Sequence, residues 1–207
     1  MAAPYTIFLS GGIASGKSTV SRRLEELGAW RCDLDAISRE ILSPGSAVLG
    51  EVCAAFGDDL VDAATGELDR GLLASRVFGD PDALALLERI EVPAIMDRLA
   101  QVLCEVGCAP SMPPVCVVEV QILDRAEQWL DLADEVMVVT CPVDLRRERA
   151  VLRGMDPADF DARVAHQPTD EWLVAHADTV LENLGTTEEL IAQVDAWWEE
   201  RSARGWA

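Results

Sequence analysis

The stretch Gly11-Gly12-Ile13-Ala14-Ser15-Gly16-Lys17-Ser18 satisfies G-x-x-x-x-G-K-[ST] at every fixed position. Before it, Tyr5–Leu9 is a short, β-prone apolar run. After it, Ser18–Leu27 places Val20, Leu24 and Leu27 on one helical face. A strand, a glycine-rich turn and a helix in that order form a phosphate cradle. The glycines let successive backbone N–H groups turn inward toward phosphate oxygens, and the helix contributes the positive end of its dipole. In such a loop Lys17 sets an ammonium on the β- and γ-phosphates of a nucleoside triphosphate, and the Ser18 hydroxyl serves Mg²⁺.

Further along, Ala29–Cys32 reads as a second strand that ends at Asp33-Leu34-Asp35, with helical spacing over Ile37–Leu42 and a breaker at Ser43-Pro44-Gly45. From Ala47 to Cys108 the pattern is mostly helical, and Pro93 is expected to bend or interrupt it. Ala109–Pro114 reads as a linker. Val115–Val120 and Glu135–Thr140 are apolar runs of the kind buried on both faces of a parallel sheet. Arg146–Arg153 and Pro157–His166 read as helices, Thr179–Glu182 as a last strand, and Thr187–Trp198 as a closing amphipathic helix. Strands alternating with helices predict an α/β protein, a doubly wound parallel sheet of about five strands. The expected organisation is a nucleotide-binding core over 1–61 and 113–207, a helical insertion over 62–112, and a helical lid over about 145–170.

Carboxylates stand where such a sheet binds ligands, at the carboxyl ends of strands. Asp33 and Asp35 either accept a hydroxyl proton or position a metal, as phosphoryl transfer requires, or they cap the helix around Ile37. Glu119, closing Val115–Val118, is either a metal-side acid acting through a bound water or an ordinary strand terminus. Arg146, Arg147, Arg149, Arg153 and Arg163 crowd one window, with Arg149 and Arg153 four apart on one helix face. Arginines on a mobile helix can close over a triphosphate; the alternative is a solvated face laced with ion pairs.

The whole chain has 207 residues, 17 Lys+Arg against 37 Asp+Glu, and a formal charge of −20. That balance argues against nucleic acid and anionic membrane as partners, since both are polyanions. Only one of the basic residues is a lysine, Lys17, so the guanine-reading motif Asn-Lys-x-Asp of GTPases has no lysine to use. The six cysteines contain no C-x-x-C pair and read as packed thiols of a reducing compartment. Met1–Ser10 lacks a basic leader, and no apolar run approaches membrane-span length. A cytoplasmic protein, monomeric or a small homo-oligomer, is expected.

With these motifs assembled, the chain resembles the dephospho-CoA kinase family from about Tyr5 to Gly185. The resemblance rests on the loop Gly11 through Thr19, on Asp33-Leu34-Asp35 with Ala36, Ile37 and Arg39, and on Gly66-Glu67-Leu68-Asp69-Arg70 with Leu73 and Val77-Phe78-Gly79-Asp80. Arg163-Val164-Ala165-His166-Gln167 resembles the family's lid motif, and Ala177-Asp178 with Asn183 and Gly185 its adenine-side segment. The resemblance implies a transferase that moves the γ-phosphate of ATP, with Mg²⁺, to the ribose 3′-hydroxyl of dephospho-CoA, the last step of coenzyme A synthesis. It implies Asp35 as base with Asp33 beside it, Arg149 and Arg153 as lid arginines, and the helical insertion as the acceptor-binding part. Val92-Pro93 stands where the family usually has His-Pro, and Gln121-Ile122-Leu123-Asp124-Arg125 where it usually has Pro-Leu-Leu-Phe-Glu. On these acceptor-side departures the sequence leaves open a P-loop kinase for another small hydroxyl acceptor, or a nucleotide-binding regulatory protein without kinase activity.

Overall fold

A computed structural model describes residues 4–77, 79–109, 111–121 and 123–206. Phe78 of the Val-Phe motif, Pro110 of the expected linker and Ile122 of the acceptor-side segment lie outside the described residues. The elements run β1 (Tyr5–Ser10), α1 (Lys17–Glu26), β2 (Trp30–Cys32), α2 (Leu34–Ile41), α3 (Ala47–Phe56), α4 (Arg70–Val77), α5 (Pro81–Gly107), β3 (Val115–Glu119), β4 (Glu135–Thr140), α6 (Val143–Leu152), α7 (Pro157–Ala165), α8 (Asp170–Ala175), β5 (Thr179–Glu182) and α9 (Thr187–Arg204). Short 3₁₀ segments cover Asp58–Leu60 and Leu123–Leu132.

The chain divides into two compact units, Met1–Cys32 with Leu103–Ala207, and Asp33–Val102. The first holds a five-stranded parallel sheet of order β2-β3-β1-β4-β5. Its register sets Ile7 beside Val117 on one side and beside Glu135 on the other. Consecutive residues Ile7, Phe8 and Leu9 are all fully buried, so both faces of β1 are covered, which is why its sequence is a continuous apolar run and not an alternation. Tyr5, Ile7 and Leu9 join Val20 and Leu24 of α1, Leu190 and Val194 of α9, and the matching residues of β3 and β4 in one core. The chain leaves β1 toward one edge of the sheet and crosses from β3 to β4 on the other side. The carboxyl end of β1 is therefore a topological switch point, the place where open α/β sheets bind ligands.

The second unit packs Leu42, Val52, Leu60, Leu73, Val77 and Leu87 into its own core. It starts at Asp33, earlier than the insertion expected at 62–112, because Leu42, the C-cap of α2, and Val52 of α3 join that core.

Pro93 does not interrupt its helix; α5 runs through it from Pro81 to Gly107. A proline inside a helix costs about 3 kcal/mol. Met96, Leu99 and Leu103, at helical spacing just beyond it, are all buried, and burial of each is worth about 1.5–3 kcal/mol, so packing outweighs the local break. The short helix α8 and the 3₁₀ run Leu123–Leu132 were not expected from periodicity; α8 has too few residues to display one. No helix among the described residues is long and apolar enough to cross a membrane.

Candidate functional site

The loop 11–16 leaves β1 and enters α1, whose first residue is Lys17. Ser15 N–H closes the turn on Gly12 O at 3.1 Å. Gly16 caps α1 at φ 112, a left-handed conformation that costs glycine nothing, and no side chain caps the helix there. No acidic residue stands in the first turn, so the positive end of α1 is not neutralised by its own sequence. The buried Ser15 hydroxyl has no hydrogen-bond partner within the protein. A loop with an unsatisfied buried hydroxyl and an uncapped helix start fits an oxyanion ligand.

Lys17 folds back over this loop. Its Nζ donates to Gly11 O at 2.6 Å and to Gly12 O at 3.0 Å. Burial pushes the ammonium down from 10.5 to about 8; the Glu119 carboxylate opposes that shift and the Arg146 guanidinium adds to it. Glu119, the last residue of β3, pairs in register with Leu9 and accepts from Ser21 Oγ at 2.6 Å. Ser18, one turn before Ser21, is exposed. Among the described residues no group of three or more His, Cys, Asp or Glu gathers as a metal cage. The Ser18 hydroxyl and the Glu119 carboxylate are oxygen donors, the ligand type Mg²⁺ takes, and that ion keeps waters and substrate phosphates in its shell.

Three later segments of the same unit converge on the loop. Asn183, just past β5, is buried, and its Nδ2 donates to Ser15 O at 2.7 Å. Arg149 of α6 donates to Gly185 O at 3.3 Å, to Asn183 O at 3.5 Å and to Cys141 Sγ at 3.3 Å. It is thus bound into the segment that carries Asn183 and Gly185. Arg153 lines a cleft of about 410 Å³ with Ile13 and Ala14 of the loop and with Met155, Asp156 and Asp159. Gln167, two residues after α7, accepts from the Ile13 N–H at 2.7 Å through Oε1.

Sequence reasoning did not single out Arg146. It is only 4% exposed, and both oxygens of Asp170 face its Nη2 at 3.2 and 3.3 Å. A Cβ at Gly12 would collide with its guanidinium, so any larger residue there must displace the end of the Arg146 side chain. Arg147 instead pairs with Asp161 at the surface, and Arg163 is exposed, as the solvated-face alternative has it for part of the cluster.

Asp33 and Asp35 open α2 in the second unit. Asp33 Oδ1 accepts from the backbone of Asp35 at 2.9 Å and of Ala36 at 3.1 Å, and its Oδ2 lies 3.5 Å from Arg39. Asp33 is therefore the helix cap. The Asp35 carboxylate is exposed and has no hydrogen-bond or ion-pair partner among the described residues. None of the six cysteines is in a disulfide.

Comparison with known proteins agrees with this geometry. The family described as dephospho-CoA kinase matches residues 5–189. A dephospho-CoA kinase of Corynebacterium jeikeium is 43% identical over 194 residues, covering 93% of this chain and 97% of its own. One from Leifsonia xyli subsp. xyli is 40% identical over 193 residues, covering 93% and 96%. The solved structure of dephospho-CoA kinase from Campylobacter jejuni superposes with a TM-score of 0.68 over 95% of this chain and 96% of its own, at 20% identity, a likeness of fold. A P-loop in its strand–helix setting, a parallel sheet of order 2-3-1-4-5 and a family match over most of the length lead to one conclusion: this chain belongs to the dephospho-CoA kinase family.

Proposed function

We propose that the chain works as its family does: it is a kinase that moves the γ-phosphoryl group of ATP to the ribose 3′-hydroxyl of dephospho-CoA and so completes coenzyme A. The observation that supports this best is the loop 11–18, where Lys17, an uncapped α1 and an unsatisfied Ser15 hydroxyl point to a triphosphate. The acceptor oxygen forms a bond to the γ-phosphorus as the bond to the β,γ-bridging oxygen breaks, and ADP leaves. The hydroxyl proton passes to the carboxylate of Asp35, the unpartnered acid of its pair. Asp33 holds α2 in shape beneath it. Lys17 carries the charge that gathers on the β- and γ-oxygens, and Arg153 beside Ile13 and Ala14 adds a second cation. Arg149 and Asn183 fix the segment through Gly185 against the loop, where the base side of ATP is placed. Ser18 and Glu119 hold Mg²⁺, which when bound neutralises phosphate charge.

Residues 62–112 supply the acceptor site, and α6 with α7 forms the lid. The protein acts in the cytoplasm as a monomer or small homo-oligomer, with no nucleic-acid or membrane partner.

The test is ADP release from Mg-ATP with dephospho-CoA and with a panel of other small alcohols, the product being read by mass spectrometry. A gain of one phosphate on dephospho-CoA is expected. Turnover with another alcohol and none with dephospho-CoA would refute the acceptor assignment and turn attention to Val92 and Gln121.

A further inference from the structure

Arg146 is a buried cation whose bonds are not complete. Its Nη2 is shared by the two oxygens of Asp170, at distances of 3.2 and 3.3 Å that are long for a charged pair. Its Nε is buried and has no partner at all. An unsatisfied donor on a buried guanidinium is costly, and such a group normally finds an acceptor. The guanidinium is pressed against Gly12, the residue whose carbonyl also takes the Lys17 ammonium. Next along the chain, the Ile13 N–H donates to an oxygen, the carboxamide Oε1 of Gln167, so an oxygen acceptor already sits at this edge of the loop. The Arg146 guanidinium lies near enough to Lys17 to disfavour its charged form. Each of the two cations has one nearby carboxylate, Asp170 for Arg146 and Glu119 for Lys17, so the unpaired Nε of Arg146 is the donor left for a further anionic ligand.

We propose that Arg146, oriented by Asp170, is a γ-phosphate ligand: it binds the terminal phosphate of ATP at the Gly12–Ile13 edge of the loop and so makes the protein prefer triphosphate to diphosphate. This rests on the loop being the ATP site. It assigns the discriminating arginine to α6's first turn, and not to Arg149 or Arg153. Arg149 is committed to the Asn183–Gly185 carbonyls, while Arg153 is exposed at the cleft rim.

The readout is the ratio of ADP to ATP dissociation constants, measured calorimetrically with Mg²⁺ on the full chain. Arg146→Gln removes a charged hydrogen bond to the γ-phosphate only, so ATP affinity should fall about 10- to 100-fold while ADP affinity changes by less than about threefold. Arg146→Lys keeps the charge but not the fork, and should land between. A parallel loss for both nucleotides, or an unchanged ratio, overturns the proposal and leaves Arg146 a packing residue. Should Arg146→Gln fail to fold, the wild-type arginine Nε–H spectrum decides. The peak missing from Arg146→Lys should move downfield with a non-hydrolysed ATP analogue and stay in place with ADP; equal movement with both refutes the assignment. Lys17→Met separates the underlying reading: if it binds ATP like the wild type, the loop is not the ATP site. If it loses ATP while Arg146→Gln keeps the normal ratio, only the arginine proposal fails.

Discussion

Because this chain has one lysine, the charge state of its phosphate-loop ammonium can be followed without assignment. The perturbation is pH. In the protein alone Lys17 is held down at about 8, chiefly because burial disfavours the charged form. The free side chain titrates at 10.5, and a tenfold change in proton affinity is about 1.4 kcal/mol. Phosphate reverses the balance. One negative charge about 4 Å away at an effective dielectric of about 20 is worth about 4 kcal/mol, or about three such tenfold steps, and a triphosphate brings more than one. The ammonium in the ATP complex should therefore titrate at 10.5 or above.

The sign follows from the two values. Below pH 8 the ammonium is charged with or without ATP, and affinity does not depend on it. Above pH 8 the protein alone has lost the proton and must take it back on binding, so affinity weakens as pH rises. The slope approaches tenfold per pH unit, and the total approaches about 300-fold between about 8 and 10.5. Lysine labelled with ¹³C at Cε gives one side-chain resonance from the single residue. It should titrate near 8 alone and move above 10 with ATP, and the ATP dissociation constant should climb in the same window. Lys17→Arg, which cannot lose its proton there, should flatten that climb. A resonance that titrates above 10 without nucleotide, or an affinity constant from pH 7 to 9.5, would refute the claim that burial dominates at Lys17.

Two further outcomes are expected. Asp33→Ala removes the cap of α2 and should destabilise the protein by about 1 kcal/mol, seen in urea unfolding, whereas Asp35→Asn should leave the unfolding midpoint in place and lower kcat by at least about 100-fold. If the two variants behave alike in both assays, the division of labour between cap and base is wrong. Asn183→Ala deletes a buried bond to Ser15 O and leaves that carbonyl unpaired, at a cost of about 1–3 kcal/mol in stability. Loss of the strut behind the loop should also raise KM for ATP more than it lowers kcat. An unchanged KM with normal stability would remove Asn183 from the site.

Why the loop could be read in advance while Arg146 could not is a matter of which forces select each residue. The loop is a backbone object. Its glycine at 16, its lysine and its hydroxyl are dictated by local dihedrals and by the ligand's charge, so the requirement is written in eight adjacent positions. The same holds for β1, whose unbroken apolar run reports burial on two faces. Asp33 was legible only as an ambiguity, because an acid before a helix caps it whether or not chemistry uses it. Arg146 carries no local mark. Five arginines share its stretch, and what distinguishes it is Asp170, 24 residues later, together with the absence of a Cβ on Gly12. At Pro93 the structure excludes one of the two outcomes the local rule allows, an interruption of the helix. The local rule for proline is strong, but the burial of Met96, Leu99 and Leu103 is a property of the folded chain and outweighs it.

A chain of −20 might be thought a poor host for ATP, and the structure shows why it is not. Potential at a site is set by the nearest charges and by how little water screens them, so distant surface carboxylates count for little beyond about 10 Å of salt solution. At the loop the near charges are Lys17, half-buried, and Arg146, buried, with Glu119 and Asp170 as their acidic counterparts. Burial makes these cations expensive for the fold: one has its pKa driven down to about 8 and the other keeps an unsatisfied Nε. Both penalties share one sign, and the proposed polyanion at Gly12 and Ile13 relieves both. On the proposed reading, the charge of −20 disfavours extended polyanions, which must lie along the surface, while a small triphosphate meets mainly the charges at the loop.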